Sequence, residues 1–148
     1  MQTMRKPTAP SNMQRLASFT GIPSRDIWAI WGSVVGFIQS GMAEGESIDT
    51  ILERLTATSC QLWVAYDDEL IIAACVTEIV TIGNRQVCNV ISVGGTRMDD
   101  WLDISLPVIE AWAKTKECTA MRFPEIRPGW RRVLKDYHLT KITLERPL

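Results

Sequence analysis

The chain has almost none of the residues from which hydrolytic centres and metal sites are usually built. It holds a single histidine, His138, so a site made of several histidines is excluded. Its four cysteines, at 60, 75, 88 and 118, contain no Cys-x-x-Cys pair. Neither a zinc ligand set nor a dithiol redox motif is therefore legible, and no metal is expected. Three of the cysteines lie in apolar, strand-like runs, where small buried thiols of a reducing compartment belong.

A surplus of charge is also missing. Lys and Arg total 16 against 17 acidic residues, a formal net charge of -1, so nothing advertises a nucleic-acid partner. Every apolar run is broken well before the roughly 18 residues that a membrane helix needs. The opening MQTMRKPTAPSNMQR lacks the apolar core of a secretory signal, so neither membrane association nor secretion is expected. Internal repeats and low-complexity blocks are absent as well. The 148 residues suit one domain that buries about 70% of its unfolded surface. Residues 1–14 read as an extended polar tail and 15–148 as the domain.

What is present is an alternation of apolar periods. Arg15–Gly21 reads as a short edge strand, and Pro23 opens a helix in which Ile27, Ile30, Trp31, Val34 and Ile38 recur at helical spacing, with Trp28 widening the face, until Gly41 ends it. Ser47 caps a second helix bearing Ile48, Ile51, Leu52 and Leu55. Three strands follow through short polar turns: Cys60–Tyr66, Leu70–Ile82 and Gln86–Val93. They form an antiparallel meander covered on both faces. A helix over about Asp99–Lys116 carries a stripe of Trp101, Ser105, Val108 and Trp112, with Leu102 and Ile109 beside it. Pro107 predicts a kink or a late start. A strand at Thr119–Ile126, a short helix at Gly129–Tyr137 and a strand at Leu139–Arg146 complete an α/β order.

This order, with the runs QLWVAYDDELIIAACVTEI, VGGTRMDDWLDISLPVIEAWAKTKEC and RPGWRRVLKDYHL, resembles the GNAT (N-acetyltransferase) superfamily, and in texture its small bacteriophage-encoded members. The resemblance covers roughly Ile22 to Leu148. It implies a mixed, mainly antiparallel sheet with helices on both faces. It also implies a shortened C-terminal end, because the family closes with two strands after the last helix and only Leu139–Arg146 is available. An edge would be left open for a partner.

The resemblance also implies a coenzyme A pyrophosphate loop, [Q/R]-x-x-G-x-[G/A], in front of a helix. The matching stretch is Val93, Gly94, Gly95, Thr96 and Arg97. Setting Gly95 on the second family glycine puts Val90 at the Q/R position; setting Arg97 there puts Asp100 and Leu102 on the small residues. Asp99 and Asp100 favour the positive helix end themselves and oppose a pyrophosphate, while Arg97 offsets one such charge. The family base is a glutamate on the fourth strand. QVCNVISV has no acidic residue, which leaves Glu78 on the preceding strand as the candidate, or as an outward solvated residue. The general-acid tyrosine position falls on Leu134, with Tyr137 three residues later, either as a substitute acid or as a buried ring with its hydroxyl at the rim.

Arg122, Arg127, Arg131 and Arg132 gather around Trp130, as a partner-binding patch or a solvated basic face, and Arg5 and Lys6 give the tail a basic contact. These features predict a bacteriophage GNAT-like protein without catalysis or cofactor. It would be a virion-associated or assembly component that contacts other virion or assembly proteins, or copies of itself, in the virion or the host cytoplasm. The alternative is an N-acyltransferase that uses acetyl-coenzyme A on an amine.

Overall fold

The computed structural model describes residues 17–124 together with Leu134, Asp136, Tyr137, Arg146 and Pro147. The expected tail over 1–14 lies outside them, as do the expected helix and strand after residue 128, those few positions excepted.

Strand β1 (Ser18–Ile22) is followed by a single 3-10 turn at Ser24–Asp26 and then by α1 (Ile27–Gly41). Pro23 does not open the helix as expected. It stays extended (φ -61°, ψ 148°), and its carbonyl accepts the Asp26 N–H at 2.9 Å. Within α1, Ile27, Val34 and Ile38 are buried, whereas Trp28 is 67% exposed. One residue after Ile27 the helix has turned about 100°, which takes Trp28 off the apolar face instead of widening it. Helix α2 (Ile48–Thr56) buries Ile51 and Leu55. Ser47 starts it through its backbone, with its carbonyl accepting the Ile51 N–H at 3.1 Å.

Strands β2 (Cys60–Asp67), β3 (Leu70–Ile82), β4 (Arg85–Gly95) and β5 (Cys118–Arg122) complete a five-stranded sheet in the order β1-β2-β3-β4-β5. The first three pairings are antiparallel and the last is parallel. A parallel return needs a long crossover, which α3 (Met98–Thr115) supplies. The α/β class, the mixed sheet and the helices on both faces agree with the sequence expectation.

Pro107 neither breaks α3 nor delays it; the helix runs unbroken from Met98 to Thr115. Pro107 is exposed, so the Asp103 carbonyl that it leaves without a helical donor can turn to water. The inward residues are Trp101, Ser105, Ile109 and Ala113, four apart. Val108 is 38% exposed, so the buried stripe is rotated away from the one expected.

The two faces of the sheet differ in chemistry. Under α1 and α2 lies an aliphatic layer of Ile27, Val34, Ile38, Ile51, Leu55, Leu62, Val64 and Val76. Under α3 lies an aromatic one. Phe19 stacks on Trp63 at 5.8 Å and on Trp101 at 6.5 Å, and Trp112 meets Trp63 edge-on at 5.3 Å. Among the described residues no helix is long and apolar enough to cross a membrane.

Candidate functional site

The glycine turn after β4 is shaped by packing. A Cβ on Gly94 would lie 2.0 Å from the Phe37 carbonyl oxygen, and one on Gly41 would lie 2.4 Å from the Val93 carbonyl oxygen, so α1 crosses β4 backbone to backbone. Gly95 has φ +149° and no room for a Cβ beside Ala73, at 2.4 Å. The polar groups that follow are engaged as well. Thr96 N–H donates to Ile72 O at 2.8 Å, and its carbonyl accepts the Trp101 indole N–H at 2.8 Å.

Arg97, in the left-handed region (φ 55°, ψ 42°), precedes the helix. Its Nε reaches Asp100 at 2.6 Å and its Nη1 reaches Asp67 at 2.9 Å. Those two carboxylates raise its pKa further. Asp99 lies in the same first turn as Asp100. Val93 itself is buried in the aromatic layer.

The other end of β4 is arranged differently. β5 pairs with β4 only at Gln86, Val87, Cys88 and Asn89, whose partners are Cys118, Ala120, Met121 and Arg122. Val90–Gly95 therefore have no β5 partner among the described residues, and this unpaired stretch beyond the last β4–β5 pair is termed the fork. On the β3 side the register steps from Val76↔Ser92 to Thr77↔Val90, leaving Ile91 as the extra residue of a bulge. A bulge re-aims the side chains around it. Here Val90 and Val93 face the aromatic layer, while Ser92 bonds Ile38 O at 2.9 Å on the aliphatic side.

At the base of the fork a polar row crosses the sheet. Glu78 on β3, Asn89 on β4 and Arg122 on β5 are successive register partners. Cys88 and Met121 belong to the aromatic face, so the next residue along each strand, Asn89 and Arg122, turns to the α1/α2 side. Glu78 is held there by Arg54 of α2, Nη1 to Oε2 at 3.3 Å, and its side chain is 24% exposed. Asn89 Oδ1 is buried and accepts no hydrogen bond. Arg122 is half-buried, and no hydrogen bond or ion pair joins it to another described residue.

Tyr137 lies on the opposite side of the fork. Its hydroxyl donates to Glu110 Oε2 at 2.8 Å, and its ring meets Phe123 edge-on at 5.6 Å. Burial, and then the Glu110 carboxylate, push the phenol above its ordinary range, so it holds its proton at neutral pH. Leu134, at the family's tyrosine position, is a buried apolar residue.

The structure thus brings Glu78 beside a residue that the sequence reading passed over, Asn89. The available signal was a polar side chain between Cys88 and Val90, both buried. Val93, Gly94, Gly95, Thr96 and Arg97 are gathered at the far end of the same strand. Arg5, Lys6, Arg127, Trp130, Arg131 and Arg132 lie outside the described residues. All four cysteines are free. Burial pushes Cys60 to about 11 and Cys75 and Cys88 to about 12, which leaves them unreactive near neutral pH. Among the described residues no group of three potential ligands is placed to hold a metal ion.

No family model and no curated protein matches the sequence. Solved structures do. A ribosomal-protein-alanine N-acetyltransferase from Brucella melitensis biovar Abortus superposes with a TM-score of 0.63 at 9% identity, over 88% of this chain and 99% of its own. An aminoglycoside acetyltransferase from an uncultured soil metagenomic sample, solved with sisomicin, gives 0.65 at 6% identity, over 92% and 99%. A GNAT family acetyltransferase from Staphylococcus aureus gives 0.62 at 11% identity, over 90% and 99%. The chain has the fold of the GNAT acetyltransferases.

Proposed function

We propose that this chain is an N-acyltransferase that holds its acyl thioester by an extended pantetheine-type arm in the fork between β4 and β5. The observation that carries this reading is the edge of β4 from Val90 to Gly95, left without a β5 partner among the described residues. An extended ligand with amide groups can add to such an edge as a strand would. The neighbours that share the fold are acetyltransferases by name, which favours transfer over an assembly role.

On this reading the arm of coenzyme A adds to the β4 edge, and its nucleotide end meets an acidic turn beyond it. The Thr96 N–H is already bonded, Arg97 is held by Asp67 and Asp100, and Asp99 and Asp100 stand in the first turn of the helix. The carboxylates of Asp99 and Asp100 oppose a pyrophosphate there, so the arm is expected to carry most of the affinity. A bound thioester supplies an electrophilic carbonyl, and the remaining roles belong to the chain. Glu78 is the carboxylate that can accept the proton an amine sheds as it forms the amide bond, directly or through water. Tyr137 holds a proton at Oη for the sulfur released when the thioester bond breaks.

Titration of labelled protein with S-acetylpantetheine and with acetyl-coenzyme A, followed by amide NMR, tests the reading. Shifts are expected along residues 90–95, with the two affinities within about threefold of each other. No saturable shift from either ligand would retire it. That outcome would return the chain to the second reading, a non-catalytic protein-contact role in a virion or assembly.

A further inference from the structure

We infer that the row Glu78–Asn89–Arg122 is a binding site for a free α-amino acid. The carboxylate would sit on Arg122 and the amine would donate to Asn89 Oδ1 beside Glu78. Asn89 and Arg122 are complementary and adjacent, and neither is used by another described residue. Asn89 offers a buried acceptor with no donor, and Arg122 offers a half-buried guanidinium with no described anion. They are register partners on neighbouring strands, about 4.8 Å apart by sheet geometry, yet they do not bond each other. A buried acceptor without a partner is costly to keep and is satisfied when a donor arrives.

Ligand chemistry follows from the order of charges across the row. A simple anion on Arg122 would present further lone pairs to Asn89 Oδ1 and leave it unsatisfied. An amine without an acid group would leave the guanidinium uncompensated. A molecule carrying both ends one carbon apart meets both needs. Arginine takes the planar carboxylate two-pronged, and the ammonium donates toward Asn89 and the Glu78 carboxylate. Arg54 already occupies one Glu78 oxygen, at 3.3 Å, which holds that carboxylate in place and leaves its other oxygen for the ammonium. Binding of the amino acid does not depend on the transferase reading; its role as the acyl acceptor does.

Calorimetric titration with each of the twenty standard amino acids and the matching amino-acid amides tests the inference. At least one amino acid is expected to saturate, with its amide binding tenfold or more weakly. Arg122→Gln should lose at least tenfold for that acid and leave the amide unchanged. Asn89→Leu should weaken both by a similar factor while the unfolding temperature holds or rises, and Asn89→Ala repeats the measurement if the larger side chain disturbs folding. Absence of any saturable amino acid overturns the inference, as does an amide that binds as well as its acid, or an unchanged affinity in Arg122→Gln. S-acetylpantetheine added to the same protein separates the two claims. Thioester binding without amino-acid binding sinks this inference alone, and the reverse sinks the transferase reading alone.

Discussion

The two ends of β4 are built on opposite terms. At the Gly94–Gly95 end the turn is closely packed: α1 touches the backbone of Gly94, Thr96 bonds Ile72, Trp101 bonds Thr96, and Arg97 is shared between two aspartates. At the Asn89 end, six residues earlier, an acceptor is buried without a donor, and the pairing with β5 ends among the described residues. A run of glycines suggests room for a ligand, but these glycines exist because other backbone already occupies the room. The open chemistry sits beside an asparagine in the middle of an apolar strand.

This contrast is breakable by mutation. The largest effect is expected from Trp101→Ala, which empties the aromatic layer behind the closely packed end and frees the Thr96 carbonyl; chemical denaturation should show a loss of about 3–5 kcal/mol. Next comes Gly94→Ala, where the new Cβ would meet the Phe37 carbonyl oxygen at 2.0 Å. Overpacking of that kind costs about 1–3 kcal/mol. Asn89→Leu should move stability the other way, from neutral to a gain of about 1 kcal/mol, since it removes an unsatisfied acceptor. If Gly94→Ala is neutral and Asn89→Leu is severely destabilising, the contrast is reversed.

Tyr137 gives a pH-dependent effect of intermediate size. Its folded pKa is raised above the value of about 10 for an unfolded tyrosine. The stabilisation it brings is therefore fully present below about pH 10. It is lost as pH rises toward and through the higher folded value. Tyr137→Phe should cost about 1 kcal/mol at neutral pH and flatten the alkaline decline in unfolding free energy. An unchanged decline in the variant would show that the hydroxyl is not bonded in solution. The smallest effect is one of reactivity. With a thiol reagent at pH 8, Cys118, the one cysteine that is not buried, should react first, and Cys60, Cys75 and Cys88 only on unfolding. Early labelling of Cys88 would mean that the fork opens to its base.

Much of the architecture was legible because periodicity reports burial directly. The antiparallel meander from Cys60 to Gly95, the aliphatic face of α1 and the return through a long helix all follow from apolar spacing and short polar turns. Trp28 departs from expectation, and so does the late start of α3 offered for Pro107. Each was judged by residue type, whereas each lies on an exposed side of its helix, where a proline costs less and a tryptophan need not pack. In the candidate site Glu78 and Tyr137 were legible as residue types, but their partners were not. Arg54 lies 24 residues from Glu78, and Glu110 lies 27 from Tyr137.

By itself the sequence determined the order of elements, the two-sided burial of the sheet, the absence of a strong charge field and the acidic start of α3. These are local or summed properties of the chain, and neighbouring residues suffice to set them. Only the tertiary structure decided that the glycines serve packing, that the described β4–β5 pairing ends at Asn89 and Arg122, and that Glu78, Asn89 and Arg122 form one row. The reason is register. A single extra residue, Ile91, shifts which side chains share a face, and pairing across strands distant in sequence sets which polar groups find partners and which are left open.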